Sequence, residues 1–272
     1  MGSKVMPSFQ TKFERLELKF LVEESHADSI RKDISTLCKS DAYNGIRENG
    51  SLNQRGYPIY SCYLDSPAMA FHRAKERGDS HRLKLRIRTY SETSLASLEI
   101  KRRHSAVIYK TRTAIDRDLV EKAARGYPVG SVKTQSAQSV LSDFSRIAAK
   151  SGAEPTLTVH YRREAYESLV DNYARVTFDR KIKVQAATDW SLNPHPGGWH
   201  SFDEYWEKRS RISPVVLELK CETTPPLWMV ELIRKHQLES SSFSKYSIGV
   251  GLCDENWGLG RKSSRRSLKA LG

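Results

Sequence analysis

The sequence is poor in cysteine and has no long apolar run. Its four cysteines, Cys38, Cys62, Cys221 and Cys253, form no C-x-x-C pair, so we expect buried free thiols rather than a zinc site or a disulfide framework. No uninterrupted apolar run exceeds about four residues, whereas a membrane-spanning helix needs roughly twenty, so we expect no membrane span. The first residues lack the apolar segment of a secretory signal, which favours a cytoplasmic protein.

Acidic residues are also scarce relative to basic ones. The chain of 272 residues has 45 Lys+Arg against 32 Asp+Glu, a formal net charge of +13, and 38% hydrophobic residues, enough for a full core. We expect one folded domain over 13–256, preceded by a short extension, 1–12. Residues 257–272 carry five basic residues and no acidic one. We interpret them as a disordered tail able to contact a polyanion or an anionic membrane.

Helical signals are present but few. Apolar residues at helical spacing, or a Ser-Pro or Thr-Pro start, predict helices over four segments: 25–38, 68–76, 136–149, and from Thr224-Pro225 to about Gln237. In the two segments with such a start, the hydroxyl can cap the helix and the proline fits its first turn. The predicted helices therefore separate the strands of a chain that is dominated by strand patterns.

The strongest pattern is an alternation of charged and aliphatic residues. In the segment 82–88, four cations alternate with three aliphatic residues, which places the cations on one face of a strand. The same alternation recurs at 16–20, 98–103 and 217–220, and each of these segments carries Glu-x-Lys on one face. Residues 82–112 hold nine Lys/Arg against two Glu. The charged face of the predicted sheet is therefore strongly basic.

A basic sheet face has two interpretations. It is an ordinary solvated face of an antiparallel sheet, or it lines a closed barrel whose outer face is covered by helices. Cations directly opposite one another destabilise strand pairing, so an anion should offset them. We expect an α+β, strand-dominated fold. If five or more such strands close into a barrel with helices packed outside, its interior is a basic tunnel.

The glutamates on these strands suggest a metal site. A carboxylate among phosphate-binding cations repels phosphate unless a cation lies between them. Mg²⁺ and Mn²⁺ take oxygen ligands, typically one or two carboxylates together with phosphate oxygens. Glu218 with Glu17 or Glu99 is our candidate metal set, and ordinary cross-strand ion pairs are the alternative for each glutamate.

The charged segments together resemble a known family. The matching runs are ERLELKF (14–20), YLDSP (63–67), KLRIRTY (84–90), LEIKRR (98–103), YRREAY (161–166), RVTFDR (175–180), VLELK (216–220) and FSKY (243–246). They resemble, in order, the VTC domain, the polyphosphate polymerase module of the vacuolar transporter chaperone complex and one of the triphosphate tunnel metalloenzymes. This collinearity is more specific than any single motif. The chain is more similar to the stand-alone bacterial members than to the multidomain eukaryotic ones.

The resemblance implies a closed antiparallel β-barrel with helices packed outside and a basic tunnel inside. It also implies roles for individual residues. The resemblance implies that Glu218 is the metal-binding glutamate. Arg86, Arg88 and Lys101 are the candidates that hold the transferring phosphates. The family pattern and the strand alternation together give the other candidate phosphate-binding residues: Lys19, Lys84, Lys110, Arg112, Arg163, Arg175, Lys220 and Lys245. Lys110 and Arg112 are alternatives for one position. Asp65 and Asp179 also match motif positions, but a turn or capping role explains them as well as metal binding does, so neither is included.

The implied function is phosphoryl transfer. The resemblance implies that the γ-phosphoryl of ATP passes to a growing polyphosphate chain, with Mn²⁺ or Mg²⁺ and without a protein nucleophile. Two alternatives stay open, a triphosphatase that uses water in the same tunnel and a non-catalytic polyphosphate-binding module. Nucleic acid is not an expected partner, because the strand over 82–88 alternates its cations with aliphatic residues instead of base-stacking aromatics.

Overall fold

The computed structural model describes residues 16–45, 55–105, 107–130, 134–171, 173–193, 195–204 and 214–257. The predicted extension 1–12 and the basic tail after Trp257 lie outside these residues. The strands are β1 (Leu16–Val22), β2 (Cys38–Ser40), β3 (Tyr57–Asp65), β4 (His81–Thr89), β5 (Ala96–His104), β6 (Val107–Ile115), β7 (Glu154–Ser168), β8 (Ala174–Ala186), β9 (His200–Ser201) and β10 (Val215–Cys221). The helices are α1 (Glu24–Ile34), α2 (Ala70–Glu76), α3 (Val120–Ala124), α4 (Gln135–Ser151), α5 (Leu227–Lys235) and α6 (Lys245–Trp257).

One antiparallel sheet forms the body of the molecule, which confirms the α+β, strand-dominated prediction. Its order is β1-β10-β8-β7-β3-β4-β5-β6, with β2 paired to β7 and β9 paired to β8. The prediction of a closed barrel is wrong, because among the described residues no ladder joins the edge strands β1 and β6. A two-residue alternation shows which side chains share a face. It carries no information on whether the first and last strands of the sheet pair with each other.

The sheet is nevertheless strongly curved. Lys101 on β5 donates a hydrogen bond of 3.0 Å to Glu17 on β1. Six strand spacings separate β1 from β5, which would be roughly 29 Å across a flat sheet. The concave face is therefore narrow enough for side chains to bridge it, and we call it the inner face.

Helices cover the convex face. One apolar cluster joins β1, β8 and β10 to α1 and α5, with Phe20, Ile30 and Leu217 at its centre. A second joins β4 and β5 to α3 and α4, with Leu85 and Phe144 buried in it. The aliphatic residues that alternate with the charges face these helices, so the predicted division into two faces is confirmed. All four cysteines are free and buried, as expected. Among the described residues, no helix is long and apolar enough to cross a membrane.

Helix α6 packs on the inner face and was not predicted. Tyr246 and Val250 join the apolar cluster of the inner face with Leu157 and Val184. Gly249 makes the close approach feasible, since a Cβ there would lie 2.6 Å from Leu157 Cδ2 and 2.8 Å from Val184 Cγ1. A helix that is buried on several sides shows no amphipathic stripe, so the periodicity of its sequence gave no signal. It closes one end of the inner face.

The predicted helix over 68–76 begins at Ala70, after a turn in which Met69 has a φ of 55°. Asp65 caps it, because its carboxylate accepts hydrogen bonds of 2.9 Å from the backbone N–H groups of Phe71 and His72. The Tyr246 hydroxyl donates a further bond of 2.7 Å to Asp65. Asp65 therefore has the capping role that the sequence allowed, and it ties α2 to α6.

Candidate functional site

Glu218 lies at the centre of the charged inner face. The side chain projects from β10 and is 6% exposed. Its carboxylate contacts Lys220 at 2.7 Å, Arg163 at 3.5 Å, and Lys19 and Lys245 at 3.6 Å each. Burial alone would raise the pKa of Glu218, but these four cations hold the pKa well below its usual range. Glu218 is therefore an ionised carboxylate in an excess of positive charge.

Asp179 is the second carboxylate of this group. It is fully buried on β8 and accepts two hydrogen bonds of 2.7 Å from Arg163 and one of 2.6 Å from Lys245. Burial opposes ionisation, yet Arg163 and Lys245 keep the pKa of Asp179 below its ordinary value. The same two cations thus contact both carboxylates. Both cations also make cation–π contacts with Tyr161, whose ring centroid is 4.8 Å from Lys245 Nζ and 5.3 Å from the Arg163 guanidinium.

A second group forms around Glu99 on β5. Arg86 donates from Nε to Glu99 at 2.9 Å, and Arg88 lies 3.4 Å from the same carboxylate. Burial would raise the pKa of Glu99, but Arg86 and Arg88 lower it to about 2. The Tyr63 hydroxyl accepts a bond of 3.3 Å from Arg86. Arg112 on β6 is directly opposite Glu99 in the ladder and is exposed.

A third group spans the gap between the edge strands. Glu17 on β1 contacts Lys101 at 3.0 Å and also contacts Lys110 on β6. Burial lowers the pKa of Lys101 from its usual value, although Glu218 opposes the shift. Ion pairs between side chains therefore stand where a closed barrel would have backbone hydrogen bonds.

Two lysines have strongly shifted pKa values. Burial, together with the nearby charges of Lys101 and Lys19, lowers the pKa of Lys84 to about 7. Burial also lowers the pKa of Lys220 to about 7, against the opposing effect of Glu218. Lys84 donates to Ser244 Oγ at 3.0 Å, and Lys19 donates to the Phe243 carbonyl oxygen at 3.0 Å. The segment before α6 is thus held between two lysines of the inner face.

Arg175 is set apart from the central groups. It pairs with Asp41, which follows β2, and lies 3.4 Å from Glu167. In the ladder it is directly opposite Lys220. The structure therefore gathers the predicted basic residues on one face, with Lys110 and Arg112 nearest solvent, and their roles toward a ligand stay predictions.

Like charges face each other directly at several ladder positions. The pairs are Arg82 and Arg103, Lys84 and Lys101, Lys101 and Lys110, and Arg175 and Lys220. Such pairs are destabilising in a sheet unless an anion offsets them. Glu17, Glu218 and Asp41 offset part of this charge, and the inner face still has more cations than carboxylates.

The predicted metal set does not assemble as one group. Glu17, Glu99 and Glu218 are each held by different cations, and the described residues contain no cluster of three or more acidic, histidine or cysteine side chains suited to a metal. Glu218 and Asp179 form an acidic pair on this face, since Arg163 and Lys245 contact both carboxylates. Two ionised carboxylates are hard donors that suit Mg²⁺ or Mn²⁺ when phosphate supplies further oxygens. The donor set fits an ion that arrives with phosphate, and the metal role of all three glutamates stays a prediction.

Sequence reasoning missed three contributors to this site. Asp179 is not among the predicted site residues, because a turn or capping role explains it as well as metal binding does. The run RVTFDR nevertheless places it on the same face as Arg175 and Thr177 by simple alternation. Tyr63 and Tyr161 lie beside the cations, but alternation alone does not distinguish an aromatic residue of the site from one of the core. The signal for Asp179 was therefore available, and the signal for the tyrosines was not.

Comparison with known proteins identifies the family of the chain. Residues 14–253 match the VTC domain. No curated protein matches the sequence. Among solved structures, a proposed adenylate cyclase from Bacillus halodurans has 13% identity and a TM-score of 0.48, over 86% of this chain and 96% of that one. Another, from Vibrio parahaemolyticus, has 14% identity and a TM-score of 0.44, over 88% and 98%. At such TM-scores neither similarity supports an argument about function.

Proposed function

The chain belongs to the VTC domain family, and from this premise we propose that it is a metal-dependent polyphosphate polymerase of the triphosphate tunnel type. In this proposal the γ-phosphoryl group of ATP is transferred to the end of a polyphosphate chain that lies along the inner face. The bond between the β,γ-bridging oxygen and the γ-phosphorus breaks, a terminal phosphate oxygen of the chain forms the new bond, and ADP leaves.

The observation that carries this proposal is the row of cations along the inner face. Along β4, Arg82, Lys84, Arg86 and Arg88 occupy alternate positions over about 20 Å, since a strand rises about 3.3 Å per residue. This row is longer than a triphosphate group, so it suits a chain of phosphates. The groups around Glu218 and Glu99 lie on the same face. Each has more cations than carboxylates, which leaves positive charge for a ligand.

Positioning and charge neutralisation account for most of the catalysis of phosphoryl transfer. Arg86 and Arg88 offer planar guanidinium groups that grip phosphate oxygens in pairs, and Lys101 lies opposite Lys84 beside them. In the proposal these residues hold the transferring phosphates, while Lys19, Arg163, Lys220 and Lys245 hold the flanking ones. No side chain acts as a nucleophile.

Glu218 and Asp179 would hold a divalent ion, Mn²⁺ or Mg²⁺, together with phosphate oxygens. When bound, the ion would neutralise charge on the transferring phosphates. The low pKa values of both carboxylates keep them ionised at neutral pH. Binding of the ion would also compete with Arg163 and Lys245 for these carboxylates, and so would release those cations toward phosphate.

The test is to incubate purified protein with ATP and Mn²⁺ or Mg²⁺ and to follow ADP, free phosphate and long-chain polyphosphate together. Polyphosphate with stoichiometric ADP is the expected result. Arg88→Ala should reduce chain synthesis at least tenfold, whereas the exposed Arg146→Ala on α4 should not change it. Free phosphate without chains would instead identify a triphosphatase. Polyphosphate binding without turnover would identify a binding module, and either result would overturn the proposal.

A further inference from the structure

Three tyrosine rings meet at the end of the inner face that lies opposite α6. Tyr57 begins β3, Tyr90 directly follows β4, and Tyr43 lies in a short 3-10 turn over 42–45. The ring centroids of Tyr43 and Tyr57 are 5.8 Å apart, and those of Tyr57 and Tyr90 are 6.3 Å apart. Tyr57 is 8% exposed, but Tyr43 is 59% exposed and Tyr90 is 39% exposed. We call these three residues the tyrosine cluster.

The exposed ring of Tyr43 stands on a firmly anchored turn. The Asn44 side chain donates a hydrogen bond of 2.6 Å to the Ala165 carbonyl oxygen and accepts one of 2.9 Å from the Ala165 N–H. Asp41 accepts a bond of 2.9 Å from the Tyr43 N–H and also pairs with Arg175. A large aromatic side chain held in place while exposed to solvent is a preformed stacking surface.

The cluster adjoins the cations of the inner face. Tyr57 is directly opposite Arg163 in the ladder between β3 and β7. Tyr90 is two residues beyond Arg88, on the same side of the chain, and lies near enough to interact electrostatically with it. From the end of the inner face toward its centre, the aromatic rings are thus followed by guanidinium groups. A nucleotide has the same order, a flat base followed by phosphates.

We infer that the tyrosine cluster binds the base of a nucleoside triphosphate while its phosphates reach Arg88 and Arg163. This inference rests on the proposed function and adds to it a site for the base of its nucleotide donor. Stacking on a ring face tolerates every base, because each has a π-face. The geometry therefore predicts tolerance among nucleotides, with purines bound more tightly than pyrimidines because their stacking area is larger.

The test compares ATP with inorganic tripolyphosphate as ligands of the whole chain. Calorimetry at fixed Mg²⁺ measures both dissociation constants for the wild type, for Tyr43→Ala with Tyr90→Ala, and for the matching Phe double variant. The Ala double variant should bind ATP about 5- to 150-fold more weakly, the range expected for the loss of one stacked base. Its affinity for tripolyphosphate should be unchanged. The Phe variant should bind both ligands like the wild type, because it keeps the rings. Tyr127→Ala, at a tyrosine 61% exposed beyond α3, is the matched control.

Each other outcome separates this inference from the proposed function. If the Ala variant loses affinity equally for both ligands, the cluster supports the phosphate site and does not bind the base. If ATP binding is unchanged while the wild type still makes polyphosphate, the inference falls and the function stands. If the wild type binds neither ligand, the proposed function falls and the inference falls with it.

Discussion

Glu218 and Asp179 are the residues on which the inner face depends, because they are the carboxylates among its most buried cations. Glu218 contacts four cations, and Asp179 shares two of them. Removing one partner of a buried charge pair leaves the other uncompensated and typically costs about 3 to 5 kcal/mol. The same residues should therefore contribute to the stability of the inner face and, in the proposed function, to its affinity for anions.

Glu218→Gln should lower the free energy of unfolding by about 3 kcal/mol, since its cations lose a negative partner. Added polyphosphate should restore much of this loss, because its charge replaces that of the carboxylate. Thermal unfolding with and without polyphosphate measures both effects, and Glu231→Gln, on the exposed side of α5, is the control. A variant as stable as the wild type, or one that polyphosphate does not stabilise, would contradict this reading of Glu218.

Lys84 and Lys220 should make phosphate binding depend on pH. Their pKa values are lowered from 10.5 to about 7, so both lysines are charged below pH 7 and lose their protons as the pH rises above it. Affinity for tripolyphosphate should therefore fall between pH 7.5 and 9, by up to about tenfold per pH unit for each lysine.

Binding titrations at constant ionic strength over this pH range provide the measurement. Lys84→Met should bind more weakly at pH 7 and show a shallower pH dependence, because it removes one of the two titrating groups. An affinity that is constant from pH 7.5 to 9, or a Lys84→Met slope equal to that of the wild type, would rule out this pH dependence.

At the scale of elements, α6 connects the apolar end of the inner face to its charged centre. Its first residue, Lys245, contacts both Asp179 and Glu218, while Tyr246 and Val250 pack among the apolar side chains. The helix can lie this close to the sheet only because Gly249 has no side chain. A shift of α6 would therefore move Lys245 away from the carboxylates.

Gly249→Ala should destabilise the protein by about 1 to 3 kcal/mol, as overpacking of a core does, and should weaken polyphosphate binding through Lys245. Gly251→Ala is a matched control on the same helix. No atom lies within 4 Å of its added Cβ, and alanine favours helix by up to about 1 kcal/mol. Thermal unfolding and polyphosphate titration measure both effects. Gly249→Ala should lower the melting temperature and the affinity for polyphosphate, whereas Gly251→Ala should lower neither. Equal behaviour would show that the close approach of α6 is unimportant.

The elements also show what the sequence could reveal. The alternation in β1, β4, β5 and β10 correctly divided charged from aliphatic faces, because strand geometry alone determines that division. Helix α6 gave no periodic signal, and the open edge between β1 and β6 depends on the whole sheet. At the site, the cations were predictable from alternation and family resemblance. The pairing of Glu17 with Lys101 was not, because it spans six strands and follows from the curvature of the sheet.

At the scale of the whole molecule, the inner face is a basic surface whose carboxylates offset its positive charge only in part. The chain has a formal net charge of +13, and like charges face each other directly in several ladders. Repulsion of this kind lowers the stability of the empty protein. A polyanion that binds the folded state should therefore stabilise it.

Long-chain polyphosphate at about 100 times its dissociation constant should add about 2.7 kcal/mol, and so should raise the melting temperature by about 5 to 10 °C. The shift should shrink at high salt, because screening weakens charge attraction. Neutral polymer of similar length is the control. A melting temperature unaffected by polyphosphate would be inconsistent with a polyanion site on the inner face.

The most direct measurement is a crystal structure of the protein with Mn²⁺ and polyphosphate, in which anomalous scattering locates the metal. We expect an Mn²⁺ peak beside Glu218 and Asp179, and phosphates in a row along the inner face within hydrogen-bond distance of Arg86, Arg88 and Lys101. Phosphate bound only on the convex face, or a metal held away from both carboxylates, would contradict the assignment of this face as the site of phosphoryl transfer.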